Sequence, residues 1–323
     1  MGPEVVERVF PPGLRERLGR STRLAAEPLT GALDGPEAAA VLARTEILVT
    51  GWDCPPLTAE VLAAAPELRA VVHAAGSIRP ILTDAVWERG LLVSSAADAN
   101  AGPVVAFTLA AITFAAKGAL STAAGYASAW PGFLERAGAD ARVVGVIGAS
   151  RIGRRVIEAL GDDEAGYQVL LCDPYVDAGD AARMGVELVG LAELCRRSGI
   201  VSVHAPQLPE TRGMLSAQML ALIPDGGAVI NTARGSLVDT EALAAECGGG
   251  RLSAFLDVTD PEPLPAGHPL LTLPNVLVTP HIAGAQGSEV RRLGVFAVEE
   301  VERLVRGVPM RGVTGRGDMA RVA

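Results

Sequence analysis

The sequence predicts an α/β protein with two Rossmann-like α/β domains. One is a doubly wound parallel-sheet domain that would carry a coenzyme; the other is a smaller, discontinuous, flavodoxin-like substrate domain. Three observations lead there. From Arg142 onward, short runs of Val, Ile and Leu alternate with stretches of helical period, the pattern of a parallel sheet covered on both faces. The same alternation, weaker, precedes it. Behind the last apolar run stands one long amphipathic stretch with no strand left to cover in the larger domain. It is expected to return to the smaller one.

In the first domain, Glu46 to Thr50, Leu68 to His73 and Gly90 to Ser94 read as strands. LTAEVLAAAPEL and TDAVWERG read as helices between them. Val104 to Ala116 is apolar, rich in small residues and too short to span a bilayer, so a buried helix is expected. The strand RVVGVIG opens the second domain, and NVLVTP closes it. The stretch HIAGAQGSEVRRLGVFAVEEVERLVRG follows as a helix behind a Gly-rich turn, and VTGRGDMARVA is expected to be a frayed tail. The expected division is 1–98 with 286–323 for the substrate domain and 99–285 for the coenzyme domain.

Composition removes several function classes. The chain has 323 residues, 49% of them hydrophobic and 20% charged, which excludes a disordered protein. Its net charge is -9 without a Lys/Arg cluster, so no nucleic-acid partner is expected. The N-terminal residues lack an apolar run behind a basic head, so no signal peptide and no membrane partner are expected. Cys54, Cys172, Cys195 and Cys247 have no C-x-x-C spacing. They fit neither a disulfide framework nor a zinc site; the expectation is a cytoplasmic protein without a metal.

The glycine turn suggests a cofactor. Gly148-Ala149-Ser150-Arg151-Ile152-Gly153 lies between a strand and a helix, as in a dinucleotide fingerprint with Ser150 at the second glycine position. Amides near Arg151 and Ile152 would hold a pyrophosphate at the helix start. Asp173 ends the next strand, twenty residues past Gly153. A carboxylate there accepts from a ribose 2′-hydroxyl and repels a 2′-phosphate, favouring NAD over NADP. The alternative is a structural turn with a strand-end Asp capping the next helix.

Three later strand ends each carry one chemical group: Arg234 in NTARG, Glu262 in DPEPL and His281 in TPH. Arg234 can clamp a carboxylate and polarise the adjacent carbonyl. His281 can exchange a proton with the carbonyl oxygen as hydride arrives. Glu262 beside the imidazole would fix its tautomer and favour its protonated form. Taken singly, these residues also read as a phosphate contact, an ordinary histidine and a solvated turn residue.

Over about Thr50 to Gly307 the chain resembles the D-isomer-specific 2-hydroxyacid dehydrogenase family. The motifs that carry the resemblance are GASRIG with Asp173, the run from IVSVHAPQLPETRGML to INTARGSLVD, and EPLPAGHPLLTLPNVLVTPHIAGA. It implies NAD-dependent interconversion of a 2-oxo acid and a D-2-hydroxy acid, with Arg234, Glu262 and His281 as the catalytic set. It implies NAD contacts at Gly148, Ser150, Arg151, Ile152, Gly153, Asp173, His204, Pro206, Thr211, Thr232, Ala233, Asp257, Ala283 and Gly284. The substrate carboxylate would meet Arg234 and the amides of Gly76, Ser77 and Ile78, in a loop where Arg79 stands in place of the family's acid. It also implies a homodimer formed through the helix around Pro103 to Gly118 and the arm after it. Formate enzymes of this fold pair the His with Gln, so Glu262 counts against that reading. An NAD-sensing regulatory protein and a phosphite-type dehydrogenase stand as the alternatives.

Overall fold

The computed structural model describes residues 1–25, 28–126, 128 and 130–320. The chain divides into two compact units, Met1–Pro103 with Gly284–Val322, and Val104–Ala283. The first division falls within a helix, Ala97–Ala116, and the second just after His281.

The first unit holds a parallel sheet of three strands, β1 (Ile47–Thr50), β2 (Ala70–His73) and β3 (Leu92–Ser95), in the order β1-β2-β3. A flavodoxin-like sheet reverses its strand order after the first connection. This sheet runs in sequence order and has no such reversal among the described residues. Its two faces bury separate cores. Val71 and Val93 pack with Leu42, Leu57 and Val86 on one side, while Val72 packs with Phe10, Leu14 and Leu18 on the other. The helix Arg291–Val305 adds Ala297, Val298 and Val301 to the second core, so the orphan helix does return to the smaller unit.

The tail does not fray where it is described. Glu300, fully buried, accepts hydrogen bonds from Ser94 Oγ (2.6 Å) and from the backbone amides of Arg311 and Gly312 (2.9 Å each). Val313 bridges to Ser94, the Thr314 amide donates to Val93, and a short turn, Arg316–Ala320, follows. The expectation of a frayed end overlooked this carboxylate, which reads in sequence as one more charge on a solvated helix face. Residues 321–323 lie outside the described part.

The second unit is built on seven parallel strands, β4 (Val143–Ile147), β5 (Gln168–Cys172), β6 (Glu187–Leu188), β7 (Ile200–Val203), β8 (Gly227–Asn231), β9 (Leu252–Leu256) and β10 (Val276–Val278). Their order is β10-β9-β8-β7-β4-β5-β6, so the winding reverses between β4 and β7. Alternate residues of one strand enter opposite cores: Val229 one, Ile230 the other; Leu256 one, Phe255 the other. Both faces are therefore apolar, which produces the unbroken Val/Ile/Leu runs.

The apolar run at Val104 begins earlier than expected, because its helix spans Ala97–Ala116. Its twenty residues are long and apolar enough to cross a membrane by length and composition, yet less than half of it is buried. The expectation of a buried helix thus holds for one face only: Ile112 and Ala116 are in the core, and Phe114 stands exposed.

Two histidines are buried in the native state. His73, at the end of β2, receives a bond from or gives one to Thr50 Oγ1 at 2.9 Å; His204, after β7, pairs with Ser202 Oγ at 2.9 Å. Burial pushes each down to about 4. Unfolding restores an ordinary histidine near 6.5, so the unfolded chain binds more protons between the two values. Stability is complete above about pH 6.5 and falls as the pH drops towards 4, by up to about 3 kcal/mol for each histidine. Urea unfolding at stepwise pH measures this, and a flat profile between pH 7 and 4.5 contradicts it.

Candidate active site

The glycine turn sits at the winding reversal, where open α/β sheets bind ligands. Gly148 has φ +96°, and a Cβ on it would lie 2.7 Å from the Ala205 nitrogen; one on Gly153 would lie 2.0 Å from the Gly148 carbonyl oxygen. No larger residue fits either place, so the turn lies tight against the end of β7. Ser150, standing where the fingerprint has its second glycine, is the N-cap of the helix Arg151–Gly161 and accepts from the Gly153 amide at 3.3 Å. Its substitution for glycine therefore supplies a cap. Arg151 and Ile152 head the helix, the positions whose amides face an anion.

Asp173 joins this turn to β5. One carboxylate oxygen accepts from the Ala149 amide (2.6 Å), the other from the Tyr175 amide (2.8 Å). Each oxygen keeps a second lone pair for an outside donor. The next helix, Ala178–Arg183, is capped by Asp177 and not by Asp173, so the Asp173 carboxylate shapes the turn and not the helix start.

Several residues expected to meet the cofactor also build the loops. The His204 ring is buried against Ser202, so only its backbone, with that of Ala205, lies under the glycine turn. Thr211 donates to the Pro206 carbonyl (2.7 Å) and accepts from the Leu208 amide (2.9 Å), closing the loop between them. The Thr232 hydroxyl lies 2.9 Å from that of Thr108, which itself donates to Val104. Thr108 has one hydroxyl hydrogen, so Thr232 is the donor of the pair and offers a ligand only acceptor capacity. Sequence reasoning missed Thr108, which no motif marks.

Arg234 follows β8. Asn231 shapes this corner, its side chain accepting from the Ala233 amide (3.0 Å) and donating to the Arg234 carbonyl (2.8 Å). The guanidinium donates to the Ala233 carbonyl at 2.6 Å. Burial lowers it from its ordinary value, and the negative charge of Glu262 works against the drop. Next to it, a Cβ on Gly235 would lie 2.0 Å from the carbonyl carbon and oxygen of Thr259. The Arg234 loop is thereby packed directly against the loop that carries Glu262.

His281 and Glu262 meet: Nδ1 lies 2.7 Å from Oε1, with the side chains 52% and 41% exposed. His281 has φ +54°, a left-handed conformation that a residue with a Cβ takes only when its surroundings compel it. The compulsion comes from Asp257, which is 1% exposed. Its carboxylate accepts from Thr279 Oγ1 (2.6 Å) and from the Ile282 and Ala283 amides (2.7 and 2.8 Å), and its carbonyl accepts from the His281 amide (2.9 Å). The Ala283 amide is committed to this carboxylate.

Gly76, Ser77, Ile78 and Gly284 belong to the first unit. Asn100 backs two of them: a Cβ on Gly76 would lie 2.7 Å from its Nδ2, and one on Gly284 would lie 3.1 Å from its Oδ1, which accepts from the Ala285 amide. Asn100 is another residue that sequence reasoning missed.

Comparisons with known proteins place the chain in a family. A sequence model described as D-isomer specific 2-hydroxyacid dehydrogenase, NAD binding domain, matches residues 108–283. The D-3-phosphoglycerate dehydrogenase of Mycobacterium tuberculosis is 35% identical over 278 residues, covering 84% of this chain and 50% of that protein. The chain therefore spans about half the length of the curated phosphoglycerate dehydrogenases of Mycobacterium that it matches. The (S)-sulfolactate dehydrogenase of Chromohalobacter salexigens is 36% identical over 251 residues, covering 76% of this chain and 80% of that protein. Among solved structures, the TT0316 protein of Thermus thermophilus superposes with a TM-score of 0.73 at 28% identity over 96% of both chains. The D-mandelate dehydrogenase of Rhodotorula graminis superposes at 0.80 over 94% of both, sharing the fold at 23% identity.

The contact at Gly235 gives a sharp expectation. Gly235→Ala forces the Arg234 and Glu262 loops apart and costs about 3 kcal/mol or more, read as a fall in the urea midpoint. A variant as stable as the parent contradicts the close packing.

Proposed function

This chain belongs to the D-isomer specific 2-hydroxyacid dehydrogenase family, and on that premise we propose that it interconverts a 2-oxo acid and a D-2-hydroxy acid with NAD as hydride carrier. The observation that carries this reading is the 2.7 Å contact between His281 and Glu262, the loop of Glu262 being packed against that of a half-buried arginine. The glycine turn suits the cofactor: it leaves no room for a Cβ where backbone meets backbone, and it presents a helix start and the Asp173 carboxylate. Gly148, Ser150, Arg151, Ile152 and Gly153 would hold the pyrophosphate, and Asp173 the adenosine ribose, favouring NAD. Thr232 and Ala233 lie at the end of β8, where the nicotinamide end would pass.

Bound NAD(H) supplies the hydride. The chain's own residues bind and orient the acid and move one proton. Arg234 presents a fork of donors that matches a carboxylate, and its partial burial strengthens that attraction. In the reductive direction His281 donates a proton from Nε2, the nitrogen across the ring from the Glu262 contact, to the carbonyl oxygen. Glu262 receives the Nδ1 proton in a charge-assisted hydrogen bond, so it holds the ring orientation and stabilises the imidazolium. In oxidation the same nitrogen takes the hydroxyl proton. The amides of Gly76, Ser77 and Ile78 are proposed as further donors to the acid, which needs no particular side chain.

We assign the chain a homodimeric state as well. Tyr126, Trp130, Phe133 and Leu134 stand on the surface of the second unit, Leu134 94% and Phe133 82% exposed, beside a helix that exposes Phe114. An apolar patch of this kind marks an interface. Light scattering is expected to give twice the 33.2 kDa of one chain, and Phe133→Asp with Leu134→Asp to give the monomer. A wild-type monomer contradicts the assignment.

The activity is tested by following NADH absorbance with a panel of 2-oxo acids, from glyoxylate and hydroxypyruvate to aryl oxo acids, with phosphite and NAD in parallel. Turnover of at least one 2-oxo acid is expected, with kcat lowered about 10²- to 10⁴-fold in His281→Gln and KM raised in Arg234→Ala. Phosphite turnover without oxo-acid turnover assigns the other reaction. Tight NADH binding with neither turnover replaces the enzyme reading with the sensing one.

A further inference from the structure

The loop proposed to receive the acid leaves β2 beside a buried histidine. His73 is the last residue of β2 and is 2% exposed. Its neighbour in register is Thr50, the last residue of β1, whose Oγ1 lies 2.9 Å from His73 Nδ1. The second partner of the ring is the backbone carbonyl of Ser77, in the loop after β2. Burial holds the ring neutral at pH 7, and a neutral imidazole has one N–H and one lone pair. A carbonyl only accepts. The ring N–H is therefore committed to Ser77, and the Thr50 hydroxyl gives its hydrogen to Nδ1. Both nitrogens are satisfied where an unpaired one would be costly.

The Ser77 carbonyl and the Ile78 amide belong to one peptide group. In a planar trans peptide the C=O and the N–H point in opposite directions, so a carbonyl bound to the ring aims the Ile78 N–H away from it. The chain is anchored on both sides of this peptide. The Ile78 side chain is fully buried and packs in the core with Leu57, Val71 and Val86. Gly76 lies so close to Asn100 that a Cβ on it would come within 2.7 Å of Nδ2. Those two holds fix where the loop lies; the ring fixes which way its central peptide faces. All of these residues belong to the first unit.

We propose that His73 is a positioning residue for the substrate. Through the Ser77 carbonyl it sets the direction of the Ile78 amide, a donor to the carboxylate of the 2-oxo acid, and Thr50 sets the tautomer that lets it do so. The assignment rests on the reading of Gly76 to Ile78 as amide donors to that acid. His73 exchanges no proton with the acid and acts only through the peptide it holds.

The test compares steady-state kinetics of the parent, His73→Leu, His73→Gln and Thr50→Val, with NADH and the 2-oxo acid that the parent reduces fastest. Leucine cannot donate to Ser77, whereas the glutamine amide offers both a donor and an acceptor. His73→Leu is expected to raise KM for the acid about tenfold, with kcat changed by less than about twofold and NADH affinity kept. His73→Gln is expected to restore most of the affinity for the acid. Thr50→Val keeps the ring but not the hydroxyl, and is expected to raise KM by a smaller factor. A second readout is the tautomer, followed at pH 7 by NMR in protein labelled with nitrogen-15 histidine. Of the four histidines, His73 is the one whose signal His73→Gln lacks. Its proton is expected on Nε2, with Nδ1 bare. A proton on Nδ1, a parental KM in folded His73→Leu or in Thr50→Val, or equal losses in the leucine and glutamine variants each overturns the assignment. A parent that reduces no 2-oxo acid overturns instead the dehydrogenase reading beneath it, so the two failures are told apart.

Discussion

A carboxylate almost without access to water, Asp257, is the interaction on which the candidate site depends. Burying an ionised carboxylate costs several kcal/mol unless donors replace its water. Here the hydroxyl of Thr279 and two consecutive amides do so, each a charge-assisted bond of about 1.5–3 kcal/mol. Those amides belong to the two residues after His281, so satisfying the carboxylate dictates the path of the chain at that point. That path gives the imidazole its left-handed backbone and its approach to Glu262. The strain at His281, of order 1–3 kcal/mol, is held by bonds that would be lost if the turn relaxed. Asp257 is thus a positioning residue: it fixes where the His281 ring stands through the backbone on either side of it.

The second constraint is steric. Gly148 and Gly153 let strand, turn and helix meet at backbone distance, and Gly235 lets the Arg234 loop lie on the Thr259 backbone. Parallel strands place all these loops at one sheet edge, but only to within several ångströms. Removing a Cβ at three positions closes the remaining gap. Arg234 then feels the charge of Glu262, although twenty-eight residues separate them in the chain.

Most of the second unit was legible in the sequence because its strands are buried on both faces, which forces apolar runs such as VVGVI and GAVIN. Arg234, Glu262 and His281 were legible because each is an unexpected polar group just beyond such a run. Helix lengths were less so. LTAEVLAAAPEL reads as twelve helical residues, yet the helix is Ala59–Ala63, capped by Thr58 and stopped before Pro66. The supporting residues were illegible for a different reason. Thr108, Asn231 and Asn100 act on partners that only the fold brings near, and Gly235 looks like any loop glycine until the Thr259 backbone is laid across it.

The same physics closes one edge of the sheet in the first unit. On the β3 side, Glu300 gathers Ser94 and two amides of the C-terminal segment, and that segment bonds to Val93 and bridges Ser94. The β3 edge is therefore closed by a chain segment that a buried carboxylate holds in place.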